Sequence, residues 1–428
     1  MDKIKIIGGN PLYGKIAISG SKNATLPLMA ASLLTPDTLV LSNIPKLADI
    51  ITMSNLLSTL GAKLTIDGNY KSHNGKIILI NASNINSNVA PYEIVKKMRA
   101  SIWVLGPLLA RFGEAFVSLP GGCAIGSRPI DMHLKAFEEM GATINLKDGY
   151  IHAFTNGRLK GAEIIFDKIS VGATINAMLA ATLAKGTTTL INIAKEPEIT
   201  DVANCLNLMG ADIREEANAL IINGVESLHG TTYKVMPDRI EAGTYAIAAA
   251  MTGGEVELTD INHSIIDNLI LKLIEAGISI TTHDNSIVIK RDPSSPIKSV
   301  NIDTRPYPGF ATDLQAQFMS LMTIASGTSI ICENIFENRF MHVPELARMG
   351  ADITLKGNNA IVLGVPKLQG ANVMATDLRA SVSLVIAGLV ANGVTLVDRV
   401  YHIDRGYDGI EEKLAACGAQ IERVRAVL

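Results

Sequence analysis

The sequence predicts an α/β fold assembled from six repeated units of βαβαββ type, three in each of two domains. Two observations carry this reading. A helix-ending Gly-Ala marker recurs about every 70 residues, and the stretch between markers repeats one order of apolar helix, short strand, second helix and hairpin. A third sets the domain number: at 428 residues the chain is longer than one hydrophobic core comfortably serves.

The markers are Leu57-Ser58-Thr59-Leu60-Gly61-Ala62, Glu139-Met140-Gly141-Ala142, Leu208-Met209-Gly210-Ala211, Glu275-Ala276-Gly277, Arg348-Met349-Gly350-Ala351 and Ala416-Cys417-Gly418-Ala419. Glycine is what a helix needs where its backbone turns left-handed at the C-terminal end. Capping explains each glycine, but not the shared context. The third unit shows that context plainly. Ser170-Val171-Gly172-Ala173 opens a helix, Gly186 to Ile191 is strand-like, Ile199 to Met209 has helical spacing, and Ala211-Asp212-Ile213 begins a hairpin. Units this small need shared buried helices, so they should pack in threes. Residues 21–237 form the first expected domain, and residues 1–20 with 238–428 the second, the N-terminal segment returning as an edge strand. A ligand site is expected in the cleft between the two domains.

Hydrophobic residues make up 48% of the chain and charged residues 18%, a globular composition. A net charge of -3 lacks the basic footprint of a dedicated nucleic-acid binder and offers no polybasic membrane patch, which leaves small molecules as the expected partners. The opening Met1-Asp2-Lys3-Ile4-Lys5 has no long apolar core behind it, so a cytosolic location is expected. Ala100 to Ala110 and Ser381 to Val390 fall short of the roughly 20 residues a bilayer span needs and read as buried helices. The four cysteines form no C-x-x-C pair, which disfavours zinc and disulfides. No phosphate-binding P-loop or dinucleotide fingerprint is present, and carboxylates do not cluster with histidines at metal-ligand spacing. Chemistry that needs no metal or cofactor and relies on side-chain cations is expected.

One unit departs from its siblings. From the turn glycine to the marker takes about 23 to 25 residues in units three to six, but about 28 in unit two. The extra length is Pro120-Gly121-Gly122-Cys123-Ala124-Ile125-Gly126-Ser127-Arg128-Pro129. Three glycines and two prolines leave no periodic apolar face to bury Cys123, and the nearby Arg128 would perturb its thiol, so a chemical role is expected there. Cys205, Cys332 and Cys417 sit in helical or strand patterns and read as buried small hydrophobes.

Cations stand at the helix heads. Lys22, Arg99 and Arg379 share one position in units one, two and six, and Lys168 and Arg239 lie just before the heads of units three and four. A cation at a helix N-terminus is unfavourable for the helix, so capping does not explain these residues, and polyanionic ligands do. A solvated face is the plainer alternative for any one of them. Units five and six carry Thr312-Asp313 and Thr376-Asp377 in register, where an N-cap would suffice. Glu337 to His342 and His402 to Tyr407 occupy equivalent loops and should face the same cleft.

The chain resembles the UDP-N-acetylglucosamine enolpyruvyl transferases over essentially its whole length. The resemblance rests on Ser19 to Ala24, Pro120 to His133, Lys168 to Ala173, Asp238 to Glu241, Thr312 to Gln317, Glu337 to Met341, Thr376 to Ala380 and His402 to Tyr407. The motif Pro-Gly-Gly-Cys-x-Ile-Gly-x-Arg-Pro-x-Asp-x-His is highly specific. The sister family, enolpyruvylshikimate-phosphate synthase, shares fold and reaction without that cysteine loop and is the alternative. Ser127 and an insertion before Arg99 are peripheral departures.

The resemblance implies an inside-out α/β barrel in each domain and transfer of the enolpyruvyl group of phosphoenolpyruvate to the 3'-hydroxyl of UDP-N-acetylglucosamine, an early step of peptidoglycan synthesis. It implies Cys123 as proton donor and target of the epoxide fosfomycin, with Asp313, Lys22 and Arg405 as further catalytic residues. Lys22, Asn23, Arg128, Arg379 and Arg405 would hold phosphoenolpyruvate. Arg99, Arg128, Pro129, Ile130, Asp131, Met132, Lys168, Ile169, Ser170, Val171, Asp313 and Ile335 would hold the UDP-sugar. A binding protein that kept the fold without activity, and an enzyme acting on nucleic-acid ends, are the readings from other classes. The intact Cys123, Lys22, Arg128, Asp313 and Arg405 oppose the first, and the net charge of -3 opposes the second.

Overall fold

The computed structural model describes residues 2–67, 76–119 and 130–425. The Cys123 loop, with Arg128 and Pro129, lies outside the described residues. Within these limits the chain divides into two compact units, one made of residues 2–19 and 237–425, the other of residues 20–119 and 130–236.

Six four-stranded sheets share one plan. In the third unit the short edge strand Glu163–Ile165 runs parallel to Thr187–Ile191, which pairs antiparallel with Ala219–Asn223, and that strand pairs in turn with Asp212–Glu216. The register sets Ile164 beside Leu190 and Leu190 beside Leu220, so one apolar row faces inward, as the period of two requires. The six marker glycines are all left-handed, with φ from 87° at Gly141 to 106° at Gly61, and each follows the second helix of its unit. An L-residue there would be strained.

The N-terminal segment differs from the expectation of a single edge strand. Leu12–Ala17 does lie at an edge, parallel to Gly254–Thr259. Lys3–Ile7 is instead an interior strand between Val394–Asp398 and Gln420–Val424. The sixth unit supplies only one hairpin strand of its own, and the N-terminus takes the place of the other. Its alternation fits that place: Ile4 and Ile6 are fully buried, while Lys5 reaches across to Glu422 at 2.9 Å.

The apolar helices form the centres of the units and the sheets lie outside them. In Arg239–Thr252 all fourteen residues are buried, as expected of a helix with no polar stripe. Lys22–Ala31, Val171–Ala181 and Ser381–Val390 are nearly as enclosed. The C-terminal ends of three of these helices present carbonyls that need donors, and arginines from neighbouring segments supply them. Arg111 Nη1 donates to the carbonyls of Leu33, Thr35 and Ala82, each at 3.0 Å. Arg158 donates to Leu183, Ala184 and Val225, and Arg291 to Ala250 and Met251. Cations at helix C-termini satisfy the dipole, which separates these arginines from the cations at helix heads. No helix among the described residues is long and apolar enough to cross a membrane.

Candidate functional site

The unit of residues 20–119 and 130–236 brings three of the segments singled out in the sequence against one another. Arg99 opens the turn Arg99–Val104, Ile130 precedes the helix Asp131–Glu139, and Ser170 caps Val171–Ala181 by accepting from Ala173 N at 3.3 Å. Asn176 joins them. Its Nδ2 donates to the Ile102 carbonyl and to His133 Nδ1, each at 3.1 Å, and its Oδ1 accepts from Gly106 N at 3.0 Å. The His133 ring lies against Gly172, where a Cβ would come within 3.2 Å of Nε2. A side chain there would require the ring to give way by a few tenths of an ångström. Trp103 Nε1 donates to the Gly172 carbonyl at 3.2 Å. Burial, helped by the charge of Arg99, lowers the His133 pKa to about 4, so the ring is neutral at pH 7 and accepts from Asn176 through Nδ1.

In the same unit Lys22 is buried at the head of its helix, where Ser21 caps Ala24 N at 3.3 Å. Its Nζ lies 3.3 Å from the buried Asp49. Asn23 beside it is half-buried. Lys168 and Ile169 are exposed just before the third helix head. The expectation for the other cysteines holds for Cys205, whose thiol burial pushes up to about 12, and for the buried Cys417. It fails for Cys332. That residue ends its strand half-buried, with Sγ 3.3 Å from Asn334 Oδ1, because the strand's last side chain meets a polar loop rather than the core.

The other unit contains a chain of buried charge. Asp313 is no N-cap; it lies within the turn Thr312–Leu314, and its carboxylate turns to two guanidiniums. Arg339 Nη2 donates to Oδ1 at 2.5 Å and Arg379 Nε approaches Oδ2 at 3.8 Å. Burial alone would raise the Asp313 pKa, but Arg339 and Arg379 outweigh it and hold the carboxyl well below the usual range. Arg379 also approaches Asp238 at 3.6 Å, donates to the Gly406 carbonyl at 3.1 Å and stacks on Tyr407 with Cζ 5.4 Å from the ring centre. Although burial disfavours its charge, Asp238, Tyr407 and Asp313 keep Arg379 protonated. Its Nη2 is buried and makes no hydrogen bond among the described residues. That Nη2 is the atom nearest Asp238, 3.6 Å from its Oδ2, so it faces a carboxylate beyond hydrogen-bond distance.

Asp377, by contrast, is a cap: Oδ1 accepts from Arg379 N and Ala380 N, each at 2.7 Å. Arg405 ends the turn Val400–Arg405 and is half-buried. Ile335 is half-buried just after the strand Thr328–Cys332. The residue that sequence reasoning left out is Arg339. It lies in the loop from Glu337 to His342 but shares no helix-head register with the other cations, so only its contact with Asp313 singles it out.

A family model described as EPSP synthase (3-phosphoshikimate 1-carboxyvinyltransferase) matches residues 6–414. A UDP-N-acetylglucosamine 1-carboxyvinyltransferase of Rickettsia bellii is 60% identical over 425 residues, covering 99% of this chain and 100% of that one. The chain belongs to the enolpyruvyl transferase family. A second relative of the same name, from Paramagnetospirillum magneticum, is 56% identical over 428 residues, covering 99% of each chain. Among solved structures, the enolpyruvyl transferase NikO from Streptomyces tendae superposes with a TM-score of 0.87 at 25% identity, covering 99% of each chain. EPSP synthase from Acinetobacter baumannii gives 0.77 at 19% identity over 99% of this chain and 100% of that one, which shows the shared fold alone. The six sheets are thus the common frame of an enolpyruvyl transferase.

Proposed function

We propose that this enolpyruvyl transferase moves the enolpyruvyl group of phosphoenolpyruvate to the 3'-hydroxyl of UDP-N-acetylglucosamine and releases phosphate, the entry to peptidoglycan synthesis. The observation that carries the proposal is the 60% identity over 425 residues with a relative of that name. Both substrates are small anions, in keeping with cations held at helix heads.

The chemistry follows from the donor. An enol phosphate accepts a nucleophile at C2 only as C3 gains a proton, so an acid must stand beside C3. We assign that acid to Cys123. The proton forms a C–H bond at C3 while the sugar oxygen bonds to C2 and gives up its own proton, directed by Asp313. A proton then leaves C3, the C2–O bond to phosphate breaks and the double bond re-forms. Lys22, Asn23, Arg128, Arg379 and Arg405 are assigned to phosphoenolpyruvate, and their fixed charges would oppose charge build-up on its phosphate and carboxylate throughout. The UDP-sugar is assigned to Arg99, Arg128 to Met132, Lys168 to Val171, Asp313 and Ile335.

The ion pairs of Asp313 refine its role. Shared between Arg339 and Arg379, its carboxylate is a weak base. A substrate carboxylate settling on Arg379 would compete for that guanidinium, weaken its hold on Asp313 and raise the proton affinity of Asp313 only when the donor substrate is in place.

The direct test is phosphate release from phosphoenolpyruvate with UDP-N-acetylglucosamine or shikimate 3-phosphate as acceptor. Release with the UDP-sugar is expected. Release with shikimate 3-phosphate in its stead would overturn the proposal and support the sister reaction.

A further inference from the structure

We infer that Glu333 is a positioning residue for the acceptor end of the reaction, setting the Asp313 carboxylate and the Ile335 backbone in one rigid arrangement. The inference rests on the proposed function, because it assigns a task to Glu333 through those two residues.

The repeats supply the first observation. In unit three the left-handed Asn192 comes six residues after the turn glycine Gly186, and in unit six the left-handed Arg399 comes six after Gly393. Asn192 Nδ2 ties that corner to the edge strand by donating to the Phe166 carbonyl at 2.8 Å. In unit five the matching asparagine is Asn334, whose Nδ2 donates to the Thr304 carbonyl at 3.4 Å, but it comes seven residues after Gly327. Neither Glu333 nor Asn334 has a positive φ. Glu333 stands at the sixth position, just past the strand, and the left-handed corner has been replaced by one that its side chain holds.

The second observation is what that side chain touches. Glu333 is 3% exposed. Oε1 accepts from Ile335 N at 2.9 Å, Phe336 N at 3.2 Å and Thr304 Oγ1 at 3.0 Å. Oε2 accepts from Thr312 Oγ1 at 2.8 Å. The Thr312 oxygen in turn accepts from Arg339 Nη1 at 3.0 Å, and Arg339 Nη2 donates to Asp313 at 2.5 Å. Glu333 is therefore bonded directly to the segment proposed to hold the sugar and, through one hydroxyl and one guanidinium, to the carboxylate proposed to direct the attacking hydroxyl. No cation touches it among the described residues. A buried carboxyl held only by neutral donors is a costly way to build a corner that units three and six make with a left-handed residue. The geometry it secures accounts for that cost.

The test uses the full chain with Glu333→Gln, Thr312→Val, Asp313→Asn and the double variants. An amide nitrogen in place of Oε2 cannot accept from Thr312, so the hydroxyl must turn away from its present bond. Glu333→Gln is expected to raise KM for the UDP-sugar and lower kcat, each by about tenfold, with KM for phosphoenolpyruvate nearly unchanged. Thr312→Val, which leaves the Ile335 bonds in place, should lower kcat with little change in either KM. The decisive readout is coupling. If Glu333 acts through Asp313, then Glu333→Gln should change kcat by less than about twofold in the Asp313→Asn background. Effects that multiply independently would overturn the inference. Should Glu333→Gln fail to fold, the Thr312→Val and Asp313→Asn pair decides by the same rule. A wild-type protein that releases no phosphate with UDP-N-acetylglucosamine would instead count against the proposed function, so the two failures are distinct.

Discussion

Arg339 and Asp313 meet at 2.5 Å, with the arginine almost fully buried and the aspartate about a quarter exposed. The pair, extended by Arg379, holds the Asp313 carboxyl well below the usual carboxylate range. Asp313→Asn should therefore lose two things. Turnover should fall by about 10² or more, the scale of a lost proton acceptor. Stability should fall by roughly 1–3 kcal/mol, because two guanidiniums lose an anionic partner. A carboxyl with a depressed native pKa stabilises above its unfolded value, and that contribution fades as pH drops further. The stability gap between wild type and variant should accordingly hold from neutral pH down to about pH 4 and shrink below it. Urea unfolding across that range measures it; a gap that widens in acid would contradict the ion-pair account.

Two buried groups should tilt the pH dependence of stability in opposite senses. His133 is lowered to about 4 by burial and by Arg99, so the unfolded chain binds its proton first, and stability falls as pH drops from about 6.5 toward 4. Asp201 is raised to about 6 by burial, against the Tyr233 hydroxyl that donates to it at 2.8 Å. Here the native chain binds the proton first, so stability falls as pH rises from about 4 to about 6. His133→Gln should flatten the acid-side loss and Asp201→Asn should steepen it. Melting temperatures between pH 4 and 7 read both slopes; changes of the same sign would refute the assignment.

Trp103 is the only tryptophan and is bonded to Gly172 at the head of a segment proposed to hold the UDP-sugar. Its emission should shift on saturation with UDP-N-acetylglucosamine and stay unchanged with phosphoenolpyruvate alone. Asn176→Ala should cost roughly 1–3 kcal/mol by orphaning Gly106 N and the Ile102 carbonyl, and should weaken UDP-sugar binding. Emission that ignores the UDP-sugar would detach this hub from the acceptor site.

Particular residues show what the sequence makes legible. The six marker glycines can be read directly because only glycine takes φ near 90° without strain, and the repeats multiply the signal. The heads of the buried helices can be read because cations there run against the dipole. Thr312-Asp313 and Thr376-Asp377 look alike in sequence yet differ in structure. Asp377 caps the turn leading into its helix, and Asp313 is drawn to Arg339, which is 26 residues away in the chain. No local pattern encodes that contact. The interior place of Lys3–Ile7 is hidden for the same reason, since its partners lie at the far end of the chain. The part Glu333 plays is visible only once the corner geometry of units three and six is known.

Cys123 lies outside the described residues, and its assigned role separates two properties of a thiol. An acid needs a transferable proton, whereas capture of an epoxide needs a nucleophile. Cys123→Asp should keep substantial turnover with a lower pH optimum, and should resist fosfomycin. Cys123→Ser should be slower by about 10² or more, because a hydroxyl is too weak an acid. Mass spectrometry of fosfomycin-treated protein should place the label on Cys123. Label on Cys205, Cys332 or Cys417, or serine turnover equal to that of cysteine, would contradict the role.

The most direct measurement is the reaction in deuterium oxide, with the product read by mass spectrometry and proton NMR. Protonation at C3 makes a methyl group that carries one solvent deuteron, and elimination then removes one of its three hydrogens. The product should therefore be a UDP-N-acetylglucosamine enol ether at the 3'-oxygen, with deuterium in its vinyl group and one phosphate released per ether formed. A vinyl group free of deuterium, or an ether found only on shikimate 3-phosphate, would contradict the account.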